Sequence, residues 1–169
     1  RELAESLRVS RTPLRDAIRR LVSEGFLRVE PRKGVYVCRK TLREIIEILY
    51  VRAALEGMAA KLCIRNLTEE AVAHMREIFA PFSVENVESR TVEFSEANVL
   101  FHEFVLKLSD CNKLQEMATN IFDHMRMVRI HTIRSGGRAA KALAEHLEII
   151  ATIERRDGDA AAELMRRHI

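Results

Sequence analysis

Val9-Ser10-Arg11-Thr12-Pro13-Leu14-Arg15-Asp16-Ala17-Ile18-Arg19-Arg20-Leu21 opens a helix whose two faces differ in kind. Ser10 is a suitable N-cap, and Pro13 falls in the first turn, where a missing N–H costs little. Leu14, Ala17, Ile18, Leu21 and Val22 follow the 3.6-residue period of a buried stripe, while Arg11, Thr12, Arg15 and Arg19 fall on the other side. That second face is either a solvated surface rich in arginine or a surface for phosphates and base edges. The flanking sequence bears on the choice.

Upstream, Leu3, Ala4 and Leu7 have helical spacing, and a tight turn separates them from the basic helix. Two short helices joined in this way, the second one basic, describe a helix-turn-helix, whose second helix enters the major groove. Residue 1 already reads as helical and such domains need a preceding helix over their apolar side, so the expectation is that the natural N-terminus begins earlier. Downstream, Gly25 has the position of a C′ residue, 26–30 alternates in part, Pro31-Arg32-Lys33-Gly34 makes a turn, and Val35-Tyr36-Val37 returns as a strand. A hairpin directly after a helix-turn-helix is the wing of a winged helix. Arg32 and Lys33 at its tip are placed to reach the minor groove or the backbone of double-stranded DNA.

Charge supports that reading. The 169 residues carry a net charge of +3, but residues 1–40 hold 11 Lys and Arg against 5 Asp and Glu, and the remainder 17 against 20. The front of the chain is therefore the part suited to a polyanion. Cys38, Cys63 and Cys111 are odd in number, widely spaced and without a CxxC pair, which points to a reducing, cytoplasmic setting. No apolar run near the length of a membrane span occurs, so no membrane role is expected.

The expected organisation is a mainly α chain: a winged helix over 1–38, a connector at 39–41, and an all-α six-helix bundle over 42–169. Thr41 and Glu44 form a capping box, and helices are expected over 42–65, 68–79, 88–108, 113–133, 138–155 and 160–169, the last cut short by the chain end. Ser135-Gly136-Gly137 and Asp157-Gly158-Asp159 are the breaks between the later ones. Arg52 lies on the apolar stripe of the first of these helices. Either Glu56, one turn on, neutralises it, or it faces a cavity and grips an anionic ligand.

Asn98 and His102 stand at i and i+4 on one helix face, and His146 and His168 lie on two helices separated by the Asp-Gly-Asp turn. Three imidazoles and one carbonyl oxygen converging inside a bundle suit a divalent transition metal; the alternative is that each histidine is a satisfied core or surface residue. His74, His124 and His131 fit no such pattern.

Arg1-Glu2-Leu3-Ala4, the Val9 to Ala17 run, Leu21 and Glu24-Gly25 resemble the DNA-binding domain of GntR-family bacterial transcription regulators. The resemblance implies that Arg1, Ser10, Arg11, Thr12 and Arg15 meet DNA and that Gly34 is the wing glycine. Arg8 stands where the family often has glycine; if φ is positive there, arginine adds strain. Asn98-Val99-Leu100-Phe101-His102, Glu145 to Ala151, and Gly158 to Ile169, with Arg52, Glu56 and Asn112, resemble the FCD effector domain of the FadR subfamily, and six helices resemble its VanR-type branch. That resemblance implies a metal held by Asn98, His102, His146 and His168, with zinc expected and nickel or manganese as alternatives, and Arg52 as an anchor for a small carboxylate effector. The implied protein is no enzyme but a metabolite-responsive homodimer, a repressor acting on a pseudo-palindromic operator. Two other readings stay open: a bundle that only dimerises, and a metal-dependent hydrolase.

Overall fold

In the computed structural model, residues 2–132 and 138–169 are described, with side chains for 3–125 and 138–169. They form two units, Arg1–Leu42 and Arg43–Ile169.

The first unit contains α1 (Glu2–Ser6), α2 (Arg11–Ser23) and an antiparallel hairpin of β1 (Leu27–Glu30) and β2 (Gly34–Val37). Arg8 turns the chain between the helices with φ +53, so the position does require the left-handed region. Ser10 sits at the N-cap of α2 with extended backbone, but its side chain makes no cap hydrogen bond, contrary to expectation. Pro13 is the reason: it occupies N3, the position whose N–H such a hydroxyl captures, and it has none. At the other end Gly25 takes φ +78. Its N–H donates to the Val22 carbonyl (3.1 Å) and that of Phe26 to Leu21 (2.9 Å), the paired bonds of a Schellman stop.

The apolar stripe of α2 is less covered than its periodicity predicts. Leu14, Ile18 and Val22 are half-buried, whereas Ala17 and Leu21 are exposed. Ala4 is the one fully buried apolar residue among those described in this unit. One short helix and a four-residue strand offer too little surface to close over a helix of 13 residues. In the hairpin Leu27 pairs with Val37 and Glu30 with Gly34, leaving Pro31-Arg32-Lys33 as the turn.

The second unit contains six α-helices among the described residues: α3 (Leu42–Leu62), α4 (Glu69–Phe79), α5 (Thr91–Leu108), α6 (Asn112–Thr132), α7 (Arg138–Glu154) and α8 (Gly158–His168). Two expected boundaries move because the chain tightens into 3-10 turns. Cys63–Asn66 ends α3 early, and Val87–Ser89 delays the start of α5. Thr68 caps α4 by accepting from Ala71 N–H, and Asp157 caps α8 by accepting from Ala160 N–H, each at 3.1 Å. The expected break at 135–137 lies outside the described residues. Met75, Phe79, Phe101, Val105, Ile149, Ile150, Ile153 and Met165, from α4, α5, α7 and α8, form the dry centre of the bundle. No helix among the described residues is long and apolar enough to cross a membrane.

Candidate functional site

Two sets of side chains stand out, one in each unit. On α2, Arg11, Thr12, Arg15 and Arg19 are all exposed, as is Ser10 before them. Arg19 is drawn toward Asp16 (3.4 Å), whereas Arg11 and Arg15 make no ion pair with any described residue. At the hairpin tip Arg32 is exposed with φ +64, and Lys33 lies 3.6 Å from Glu30. Gly34 takes φ +124 with open space where a Cβ would stand, so backbone conformation rather than crowding calls for glycine there. Arg28 adds a cation that the periodic reading passed over; it pairs with Glu30 and lies 5.2 Å above the Tyr36 ring. Arg1 lies outside the described residues.

In the second unit three helices bring the predicted histidines together. His102 from α5, His146 from α7 and His168 from α8 are all buried, and a nitrogen from each lies within 4.8 Å of the others. Nε2 of His102 and Nε2 of His146 are 3.4 Å apart. The His146 and His168 ring centroids are 4.2 Å apart, and the His102 and His168 rings stack at 5.3 Å. The packing of α7 against α8 across the Asp157 turn makes this possible, as the sequence spacing predicts. Phe79 stacks on His146 at 4.6 Å and Phe101 meets its edge at 5.2 Å, which closes the cluster on the core side.

Two carboxylates stand behind the rings. Glu145 Oε2 is 2.8 Å from Nδ1 of His168, and Glu56, buried on α3, faces Nδ1 of His102. Both contacts turn the ε nitrogens inward, as carboxylates do behind metal-binding imidazoles. Arg52 Nε donates to the other oxygen of Glu56, and its guanidinium lies 5.4 Å over the Phe122 ring. Of the two readings left open for Arg52, the structure therefore contains the Glu56 pair. Asn98 is half-buried one turn before His102, in the stated i, i+4 relation. His74 is largely exposed against the edge of Phe104, His124 is buried on α6, and the side chain of His131 lies outside the described residues.

Burial works to raise the Glu56 carboxyl, but His102 and Arg52 outweigh it and hold it down at about 2. Burial pushes His146 well below the usual imidazole range, and His168 and His102 beside it add to the effect. His168 is lowered to about 4, by burial first and then by His102, against the pull of Glu145. At neutral pH these two rings are uncharged and present lone pairs. The arrangement suits a divalent cation: imidazole nitrogens converge, carboxylates stand behind two of the rings, and an apolar shell surrounds both.

Sequence reasoning missed the role of Glu145 and saw Glu56 only as the partner of Arg52. Glu145 precedes His146 in the chain and serves His168 instead, a contact that no local spacing reveals.

Comparison with known proteins gives the setting. The profile of the FCD domain matches residues 47–169, and that of bacterial regulatory proteins of the gntR family matches residues 1–37. The HTH-type transcriptional repressor RspR of Escherichia coli (strain K12) is 23% identical over 169 residues, covering 100% of this chain and 74% of that protein. The Nta operon transcriptional regulator of Aminobacter aminovorans is 29% identical over 168 residues, 99% of this chain and 78% of its own. Among solved structures, E. coli McbR/YncC superimposes with a TM-score of 0.77 at 25% identity, covering 98% of this chain and 81% of the other. The FCD match spans well over half of the chain and the gntR match the winged-helix unit before it, so the chain belongs to the GntR family of bacterial transcription regulators, with an FCD domain.

Proposed function

We propose that this regulator senses a small carboxylate through a metal held by His102, His146 and His168, with Asn98 as a fourth ligand and Arg52 as a second anchor for the anion. The convergence of three buried imidazole nitrogens within 4.8 Å is the observation that supports it. Zinc fits this nitrogen set best, with nickel and manganese next. The metal would supply a cationic centre for the carboxylate, and the chain supplies imidazole donors, carboxylates behind two of them and an apolar surround. The output is the α2 face, where Arg11 and Arg15 are the uncommitted cations, with Ser10, Thr12, Arg19 and the wing residues Arg32, Lys33 and Gly34 beside them. Arg1 is assigned to DNA by resemblance. A homodimer would read two half-sites of a pseudo-palindrome, spaced by about one helical turn of DNA. Effector binding changes DNA affinity only so far as the anion favours one arrangement of the dimer over the other. The name of the repressor RspR supports the repressing direction, and a reducing cytoplasm is the setting proposed.

Elemental analysis of purified wild type beside His146→Ala tests the metal. The expected result is stoichiometric metal in the first and loss in the second; equal content in both would remove the ligand set. Arg11→Ala and Arg15→Ala should each abolish the operator shift in a gel assay with the bundle still folded by circular dichroism. Unchanged DNA binding would withdraw α2 from the interface.

A further inference from the structure

Glu56 is only 1% exposed: Oε1 accepts from Arg52 Nε, and Oε2, which has no other hydrogen-bond partner among the described residues, lies against the buried Nδ1 of His102. We propose that Glu56 is a positioning residue: it holds the His102 proton on Nδ1 and so turns the Nε2 lone pair toward His146 and His168. It can do so only as a full carboxylate, because Arg52 occupies its other oxygen. This assignment rests on the reading of the three histidines as a metal site, and it links the anion anchor to a metal ligand through one side chain.

The reasoning is an inventory of donors and acceptors. A guanidinium only donates, an ionised carboxylate only accepts, and a neutral imidazole has one nitrogen of each kind. Opposite Oε2, Nδ1 must therefore carry the proton, and in the neutral ring that a metal requires this leaves Nε2 of His102 as the acceptor, 3.4 Å from Nε2 of His146. A metal needs that lone pair. Nothing else on α3 can substitute, since Arg52 on the preceding turn is a donor and Gly57 beside it has no side chain.

Glutamine at position 56 makes the logic testable, because it matches glutamate in shape but has one acceptor arm and one donor arm. Arg52 requires the acceptor, so in Glu56→Gln the amide NH2 faces His102 and the ring proton should move to Nε2. In Glu56→Gln/Arg52→Met the glutamine oxygen is released, and the Nδ1–H form should return. The measurement is long-range nitrogen–proton NMR of the histidine side chains in the metal-free full chain, with backbone spectra to confirm folding. Competition of zinc against a chelator gives a second readout. Zinc binding should weaken by roughly 10–100-fold in Glu56→Gln, in line with the loss of a carboxylate behind a ligating imidazole, and recover substantially in the double variant. A wild-type His102 protonated on Nε2 overturns the assignment without any variant. So does a Glu56→Gln protein that keeps Nδ1–H and binds zinc as the wild type does. Should the wild type take up no zinc, the metal reading fails, and the His102 tautomer still decides what Glu56 does.

Discussion

Arg8 and Arg156 both hold left-handed backbone, at φ +53 and φ +60, and the structure uses them differently. A non-glycine residue there costs about 1–2 kcal/mol relative to right-handed backbone. Arg156 offsets this with its guanidinium, which donates to the carbonyls of Ile64 (3.1 Å) and Leu67 (3.0 Å) and so closes the end of the 63–66 turn. The exposed Arg8 side chain forms no ion pair with a described residue. Arg8→Gly should therefore stabilise the N-terminal unit by about 1 kcal/mol in urea denaturation. Arg156→Gly relieves the same strain but removes two charge-assisted bonds of about 1.5–3 kcal/mol each, so partial exposure still leaves a net loss of about 1–2 kcal/mol. A change of the same sign at both positions would contradict this account. The first strain was legible in the sequence only through the family resemblance, which implies a glycine in the turn that Arg8 occupies. The second was not, since Arg156 finds its partners far earlier in the chain, at the carbonyls of Ile64 and Leu67. Ser10 teaches the same lesson in reverse: its cap position was legible, and the silence of its hydroxyl follows from Pro13.

Among elements, the packing of α3 on α8 determines whether the site holds together. A Cβ on Gly57 would lie 2.8 Å from Cγ of Arg166 and 3.2 Å from the carbonyl oxygen of Ala162, so only glycine lets the helices approach this closely. Glu56 precedes that contact on α3, and His168 stands at the far end of α8. Gly57→Val should cost about 1–3 kcal/mol as overpacking, and by displacing α8 it should also weaken zinc binding, with Gly57→Ala between the two. Denaturation and chelator competition on the same samples measure both. A valine variant as stable and as tightly metal-binding as wild type would show that α8 does not depend on that approach. Helix identity was legible because caps such as Thr68 and Asp157 and the apolar period agree. The 3-10 turns were not, since 63–66 and 87–89 continue the helical pattern and differ only in how tightly the chain winds. The histidine trio was legible as positions on three helices, two of them joined by the Asp157 turn, whereas Glu56 behind His102 depends on α3 meeting α5, a tertiary contact without a local signature.

At the scale of the whole chain, charge and burial divide the work. The basic excess lies in the unit matched by the gntR profile, and the buried histidines lie in the unit matched by the FCD profile. A ligand that binds only the folded form of one unit stabilises that unit by mass action, about 2.7 kcal/mol at 100 times its dissociation constant. Its three nitrogens come from α5, α7 and α8, so zinc must leave whenever the core they share opens. The amides of 149–153, set in that core, should then exchange with solvent about 100-fold more slowly at that zinc concentration than after chelation, since 1.4 kcal/mol is tenfold in an equilibrium. The hairpin amides of Leu27–Glu30 and Gly34–Val37 belong to the other unit, where Ala4 is the single fully buried apolar side chain among the described residues. Their exchange should be fast and indifferent to zinc in the absence of DNA. Protection that rose equally in both units would mean that the metal is bound elsewhere or that the units open as one. Protection confined to the bundle would locate the ligand among His102, His146 and His168.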